Sequence, residues 1–379
     1  MPFRAFRGST ALVSPREIVA KVSNDALMSE IELAARKLEP ELAEALLAML
    51  SALQDVVPLD ELAAAVKAGD IDRIMRLIGD ANLSLAAGKV TGALQDAAWA
   101  GGAIAATSIN STIREASFVF NRLNPRLIDW LQGYTYNLVK LTKDEAGEAT
   151  KQAIREAMTA GMTVGNNPLT VARDIRASIG LTPRQQKAVK NFRTELESFH
   201  LRGGEGGYNL GAKISRVYGT QVYALGEDGG PADGITERRL RDFRYDGHLS
   251  RALKTGVPLK PEKIDEMVAA YHRKYLKYRS QTIARTEALR ATNYGVQDGW
   301  RQAIEAGKVP EAQVRRQWVV SRDERLCEVC APVPKLNPKR GVKFGEPFAT
   351  PKGPVMLPPL HPNCRCHIFI RVWEPEQLA

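Results

Sequence analysis

Cysteine is nearly absent from this chain: four in 379 residues. Thiols used for packing are scattered as single buried side chains, whereas here all four lie within the 40 positions from Cys327 to Cys366. Long apolar runs are missing too, and nothing approaches the ~20 residues a membrane span needs. The longest candidate, Ala97 to Ile109, is short and rich in alanine and glycine, which fits close helix packing. The N-terminus, Met1-Pro-Phe-Arg-Ala-Phe-Arg7, carries arginines but no continuous apolar core of the secretory kind. A reducing cytoplasm is therefore the expected place of synthesis, and there paired thiols hold metal more often than they form disulfides. The glycine cluster Gly203-Gly-Glu-Gly-Gly207 lacks the Gly-Lys-Ser/Thr ending of a phosphate loop.

The scarce cysteines come in a pattern. Cys327-Glu-Val-Cys330 is followed about 30 residues later by His361-Pro-Asn-Cys364-Arg-Cys366. An x-x spacing lets two ligands sit on one tight turn and face one ion, and a closed tetrahedral zinc shell needs two such pairs. Cys327 with Cys330 forms the first pair; His361 with Cys364, or Cys364 with Cys366, forms the second. Five candidates thus compete for four positions, with His367 a distant sixth. A disulfide, cysteines that simply pack, and a catalytic metal or nucleophilic cysteine are the other readings. The catalytic one lacks an acid or base placed as in His-Glu-x-x-His. The segment between the pairs carries Pro332, Pro334, Pro338, Gly341, Gly345, Pro347, Pro351, Gly353, Pro354, Pro358 and Pro359. Such a run is expected to bury few side chains and to benefit from a staple.

Trp318, Asp323-Glu-Arg325-Leu-Cys327-Glu-Val-Cys330 and Pro359-Leu-His361-Pro-Asn-Cys364-Arg365-Cys366 together resemble the signature of the phage Mu F-like minor head proteins, also called phage head morphogenesis proteins. Ile283-Ala-Arg285-Thr286-Glu287-Ala-Leu-Arg290-Ala-Thr-Asn293-Tyr-Gly295 is similar to the helix that precedes that signature, and Leu240-Arg241-Asp242-Phe-Arg244-Tyr-Asp246-Gly247 to the arginine-rich stretch before it. The resemblance implies a non-enzymatic minor structural protein of a tailed double-stranded DNA phage. It would be assembled in the host cytoplasm, lie inside the capsid near the portal vertex, and take part in procapsid assembly and genome packaging or ejection. Its implied partners are the portal protein, the major capsid or scaffolding protein, and packaged DNA held without sequence preference, with no membrane during assembly. The implied fold is mainly α with a small C-terminal α+β module. Alternative functions are a zinc-stapled DNA-binding protein or a His-Asn-His-type nuclease, the latter suggested by His361, Asn363 and His367.

Charge fits contact with a polyanion: the formal net charge is +10. From Arg238 to Arg290 there are 14 Lys and Arg against 6 Asp and Glu, interleaved with Phe243, Tyr245, Tyr271, Tyr275 and Tyr278. Candidate phosphate contacts are Arg238, Arg239, Arg241, Arg244, Arg273, Lys274, Lys277 and Arg279. The plainer reading is a solvated helix face whose arginines pair with nearby carboxylates. Arg285, Glu287 and Arg290, with Asp323 and Arg325, read as a structural ion network against the terminal module rather than as catalytic groups.

Along the chain, residues 1–115 are expected to be a helical docking region with a basic arm, 116–202 a central helical region, 203–234 a glycine-rich loop with a short β patch from Ile214 to Leu225, and 235–379 the Mu F-like module. The architecture is thus a helical bundle, a long basic helix and a short zinc-stapled β module. Leu42, Leu46, Met49 or Leu50, and Leu53 recur at helical spacing, with Pro40 placed to open that helix. Further helices are expected from Asn124-Pro125, around Asp144 to Gly161, up to Ile179-Gly180, from Thr182-Pro183, and from Pro261 to about Ala306. In the last, Ile264, Met267, Val268, Tyr271, Tyr275 and Tyr278 form an apolar stripe. Cys366 to Trp373 and Trp318 to Val320 read as strands whose pairing would join the two halves of the zinc site.

Overall fold

The structure, a computed structural model, describes residues 24–55, 58–68, 84–113, 117–139, 168–202, 240–320 and 326–378, two short strands within 215–223, and isolated positions at 70, 72–73, 76 and 142. It is mostly helical, with a small antiparallel sheet near the C-terminus. In chain order the helices are α1 (Asn24–Asp55), α2 (Leu59–Ala68), α3 (Ser84–Thr112), α4 (residues 125–139), α5 (Pro168–Arg176), α6 (Pro183–Ser198), α7 (Asp246–Thr255), α8 (Pro261–Glu305) and the four-residue α9 (Val333–Leu336) and α10 (Pro375–Leu378). The strands are β1 (Ser215–Val217), β2 (Gln221–Tyr223), β3 (Val314–Val319), β4 (Val342–Lys343) and β5 (His367–Val372). Among the described residues no helix is long and apolar enough to cross a membrane. The expected helix around Asp144 to Gly161, the Gly203 cluster and the basic arm lie outside the described residues.

The chain forms two compact units, one from Met1–Leu46, Ser84–Val139 and Ser280–Ala379, the other from Leu47–Leu83 and Lys140–Arg279. In the first, α3 crosses the later part of α8 at backbone contact. A Cβ placed on Gly101 would lie 2.0 Å from the Thr292 carbonyl oxygen, and one on Gly295 would lie 1.9 Å from that of Ala98. Ala97, Ala98, Ala105 and Ile109 are buried with them. The alanine- and glycine-rich stretch therefore serves close helix packing, as its composition suggested. Helix α4 opens where Asn124-Pro125 placed it, with the Asn124 side-chain oxygen accepting the Arg126 N–H at 3.0 Å. It lies on α8 through a stack of Tyr134, Trp130 and Tyr294, with neighbouring centroids 4.9 and 3.7 Å apart.

Pro40 corrects one expectation. It sits inside α1, a continuous 32-residue helix, instead of opening one. Proline at that point removes one i→i−4 bond, and the buried flank around it, Ile31, Ala35, Leu42, Leu46, Leu50 and Leu53, supplies packing that outweighs the loss.

In the second unit, α6 starts with a capping box: Thr182 and Gln185 each accept from the other's backbone N–H. The preceding helix ends at Arg176, before the expected Ile179-Gly180, and the chain turns through Gly180 at φ +81°. Two α8 side chains hold that turn. His272 bonds the Ile179 carbonyl through Nε2 at 2.9 Å, and Arg279 donates to the Gly180 carbonyl at 2.5 Å. Burial pushes the His272 imidazole down to about 4, so it serves as a neutral donor. The α8 stripe buries Ile264, Met267, Val268 and Tyr271, with Tyr271 against Phe192, but Tyr278 is exposed. The expected β patch is a small antiparallel hairpin, β1 with β2.

The C-terminal sheet has the order β4-β3-β5, all antiparallel, with Trp318 opposite Ile368 and Val319 opposite His367. The predicted pairing of the two terminal segments is present, and β3 begins four residues earlier, at Val314. Alternation along β3 turns Val314, Arg316 and Trp318 inward.

Candidate metal centre and its support

Two tight turns make the centre. In the first, the backbone N–H groups of Cys330 and Ala331 both donate to the Cys327 carbonyl, at 3.1 and 3.0 Å, and the Cys330 N–H also points at the Cys327 sulfur, 3.4 Å away. In the second, Cys364 N–H donates to the His361 carbonyl at 3.1 Å, with Asn363 left-handed at φ 58°. The pairing of β3 with β5 brings the turns together. His361 Nε2 lies 3.0 Å from Cys327 Sγ and 3.2 Å from Cys330 Sγ, and Cys330 Sγ lies 3.7 Å from Cys364 Sγ. All four cysteines are free thiols, so the disulfide reading is not what the fold forms.

The donors fall into two triads sharing Cys330: Cys327, Cys330 and His361, and Cys330, Cys364 and Cys366. A cavity of about 30 Å³ lies among them, large enough for one small ion or water. Tetrahedral zinc with bonds of about 2.3 Å to sulfur sets sulfurs about 3.8 Å apart, close to the Cys330–Cys364 separation. Ligand chemistry fits as well. The His361 Nδ1 atom bonds the Pro362 carbonyl at 2.8 Å, which leaves Nε2 to face the sulfurs. Hydrogen bonds from Cys366 and from backbone amides hold the Cys364 thiol down to about 5, against its burial, and push Cys366 far up. Burial, then the Cys364 charge, pushes Cys330 up to about 12.

Helix α8 fixes this centre from outside. The Thr286 hydroxyl accepts the Asn363 N–H at 3.0 Å, and the Asn293 side-chain oxygen accepts the Ile368 N–H at 2.9 Å. Both residues stood in the quoted helix motif, yet their roles were not assigned from sequence. Asparagine and threonine buried two turns apart beside alanines were the available signal. The neighbouring charged residues point elsewhere. Arg285 bonds Glu39 of α1 at 3.0 Å, and Glu287 accepts from Arg290 at 3.0 Å and from the Tyr134 hydroxyl. Their partners among the described residues are thus α1 and α4, not the terminal module; Asp323 and Arg325 lie outside the described residues. A second ion cluster escaped sequence reasoning, in which Arg126 spans the buried Asp298 at 3.2 Å and Glu305 at 2.6 Å.

Arg316 was also missed. It is fully buried, with its guanidinium 5.0 Å from the Phe348 ring centroid and 5.9 Å from that of Phe344. It donates to the Met356 carbonyl at 2.8 Å, to the Glu346 carbonyl and to the Gln297 side chain. Burial pushes it down to about 10, so it stays charged at neutral pH. The proline-rich segment therefore has a core of its own, since Val333, Val342, Phe344 and Phe348 are all buried around this cation. The expectation that it buries few side chains is corrected: prolines limit regular structure, but its aromatics close on an inward arginine. Arg316→Met should destabilise the module by about 3 kcal/mol or more, because three acceptors lose their donor in a dry site. Urea unfolding followed by tryptophan fluorescence will measure it, and a loss below 1 kcal/mol would contradict this role.

Among the described residues, the basic candidates do not form one surface. Arg241 is buried in a two-bond pair with Asp246, at 3.1 and 3.2 Å, and Arg279 holds the Gly180 turn. Lys274 donates to the Arg241 carbonyl at 2.9 Å, and Arg244 is exposed but bonded to Asp242. Arg273 and Lys277 are exposed on α8, while Arg238 and Arg239 lie outside the described residues. The nuclease trio is not assembled either: His361 faces the sulfurs, while His367 is fully buried in β5 with Nδ1 3.0 Å from the Arg365 carbonyl oxygen.

No curated protein and no solved structure matches the chain. Residues 247–369 match the family described as Phage Mu protein F like protein. The matched span runs from α7 through α8 and the sheet and includes all five candidate ligands, so this part of the chain is similar to the phage Mu F-like family.

Proposed function

We propose that the protein is a minor component of the inner head of a tailed double-stranded DNA phage, seated near the portal vertex and acting in procapsid assembly and genome packaging or ejection. The family match over α7, α8 and the sheet is the observation that carries this reading. The role is architectural: residues 326–366 form a loop closed by a sheet, an arginine-centred core and a Cys/His centre, which presents a rigid surface to a partner such as the portal, capsid or scaffolding protein. The centre holds one structural zinc, with Cys327, Cys330, His361 and Cys364 as its ligands. Zinc would supply folding free energy there, because the two turns come from segments about 30 residues apart. Cys366 supports it by hydrogen bonding to Cys364.

Quantitative mass spectrometry of purified heads tests the placement. The protein should be present in few copies relative to the shell subunit, cross-link to the portal protein, and resist added protease until heads are opened. Digestion in intact heads, or a copy number matching the shell subunit, would refute it.

A further inference from the structure

We infer that the uncovered edge of β3 binds an extended, acidic segment of a partner protein by adding it to the sheet as a strand. This deepens the reading of residues 326–366 as a contact surface and rests on it. Strand β5 pairs with all of β3, from Val314 to Val319, but β4 pairs with Arg315 and Arg316 alone. Among the described residues no strand covers the rest of that edge. The ladder fixes which way the backbone points there. The Gln313 carbonyl accepts the Trp373 N–H at 2.9 Å, one step beyond the β3–β5 pairs, so odd-numbered residues of β3 turn their N–H and C=O groups to β5 and even-numbered ones turn theirs away. Arg316 fits this alternation: a Cβ on Gly341, next to β4, would stand 2.4 Å from its carbonyl oxygen. Trp318 is the next even position. Strand β4 does not reach it, because Gly341 is left-handed at φ +93° and the Lys339 carbonyl is taken by the Gln317 side chain at 2.8 Å. Among the described residues no group is bonded to the backbone N–H or C=O of Trp318.

A cavity of about 170 Å³ adjoins this edge, walled by Trp318, Val320, Phe348, Pro334 and Pro338, with Lys339 in its lining and no carboxylate. Trp318 and Phe348 meet edge to face there, with centroids 5.4 Å apart. A free donor and acceptor beside an apolar recess is what strand addition uses: the backbone pairing supplies affinity, and the recess selects among the alternate side chains. Charge decides the occupant. From Ala331 to Pro358 the loop carries Lys335, Lys339, Arg340, Lys343 and Lys352, all exposed, against Glu346 alone, and Glu346 lies 3.5 Å from Lys343. A second copy would bring the same cations to the edge and be repelled, which is how lysines keep sheet edges from pairing with themselves. An extended segment that alternates apolar residues with carboxylates meets both conditions. Its apolar side chains fill the recess, and its carboxylates meet the cations around it.

The test titrates the full chain with a fluorescent ten-residue peptide alternating valine and glutamate, beside two relatives of it. One is N-methylated at all its amides and cannot pair as a strand; the other carries lysine for glutamate. Hydrogen exchange across β3 is followed in parallel. The expected result is binding of the glutamate peptide that slows exchange at Trp318, and that weakens about tenfold or more with either relative and in Lys339→Glu. Lys254→Glu, in the second unit, should bind as wild type does, and matched melting temperatures for the two variants exclude misfolding as a cause. No binding of the glutamate peptide by wild type overturns the site. Equal binding of either relative, equal binding by Lys339→Glu, or unchanged exchange at Trp318 does so too. Peptide-free wild type that dimerises with slowed exchange across β3 would make the occupant a second copy and likewise overturn the inference. All of this is read on the purified chain, so its failure leaves the placement in the head, which is tested on heads, standing.

Discussion

Cys330→Ser should cost the protein its zinc and the order of residues 326–366 together, while the helices of the rest of the chain remain folded. Cys330 is the donor common to both triads and belongs to the proposed tetrad. Serine oxygen is a poor replacement for a thiolate, and a three-ligand remnant loses most of its affinity. Structural zinc contributes on the order of 10 kcal/mol to small modules at neutral pH. The Arg316 core and the hydrogen bonds accepted by Thr286 and Asn293 leave some of the module's packing in place, so the net loss will be smaller. Elemental mass spectrometry should give about one zinc per wild-type chain and none in Cys330→Ser. Limited proteolysis should cut the mutant between Leu326 and Cys366, with little change in helical circular dichroism. Cys366→Ser should retain the metal, because Cys366 lies outside the proposed tetrad. Metal-free, protease-resistant wild type would sink the zinc assignment without touching the family assignment.

Local signals carried much of the fold. Turn and capping residues marked α4 at Asn124-Pro125 and α6 at Thr182-Pro183, and apolar alternation marked β3 and β5. The Cys/His spacing located the centre because a metal-type turn is written into three or four consecutive residues. What sequence concealed was the environment of charged side chains. Arg241, Arg279 and Arg316 count as charge in a tally, yet each is buried and bonded. Their partners, a carbonyl 99 positions away for Arg279 and carbonyls 30 and 40 away for Arg316, are set by packing. Period-2 spacing back from Trp318 puts Arg316 on the same face, a signal that the reading of Trp318 to Val320 stopped short of. Pro40 was misplaced for a related reason: proline's local preference for a helix start yielded to the apolar flank of α1.

Gly295→Val should be the most damaging single substitution in the first unit. A Cβ on Gly295 would stand 1.9 Å from the Ala98 carbonyl oxygen and 2.7 Å from its carbon, far inside contact distance, and both obstacles are backbone. No rotamer change relieves such a clash; α3 and α8 must move apart. Separation would open the neighbouring contacts as well, because Gly101 meets the Thr292 carbonyl just as closely and a Cβ on Gly299 would meet that of Ala105 at 2.6 Å. Each of these contacts is a dispersion contact that falls off within an ångström. Overpacking in a core that can adjust costs about 1–3 kcal/mol, and here adjustment is blocked, so a loss above 4 kcal/mol is expected, an exceptional value for one residue. The damage should reach the metal centre, since Asn293, two residues from the crossing, anchors β5 through Ile368. Urea unfolding should therefore show a lower midpoint for Gly295→Val, and zinc should become easier for a chelator to remove. Gly133→Ala, where a Cβ meets nothing within 4 Å, should be neutral or slightly stabilising because alanine is the better helix former. Equal stability of the two variants would mean that the α3–α8 crossing is looser than its backbone contacts require.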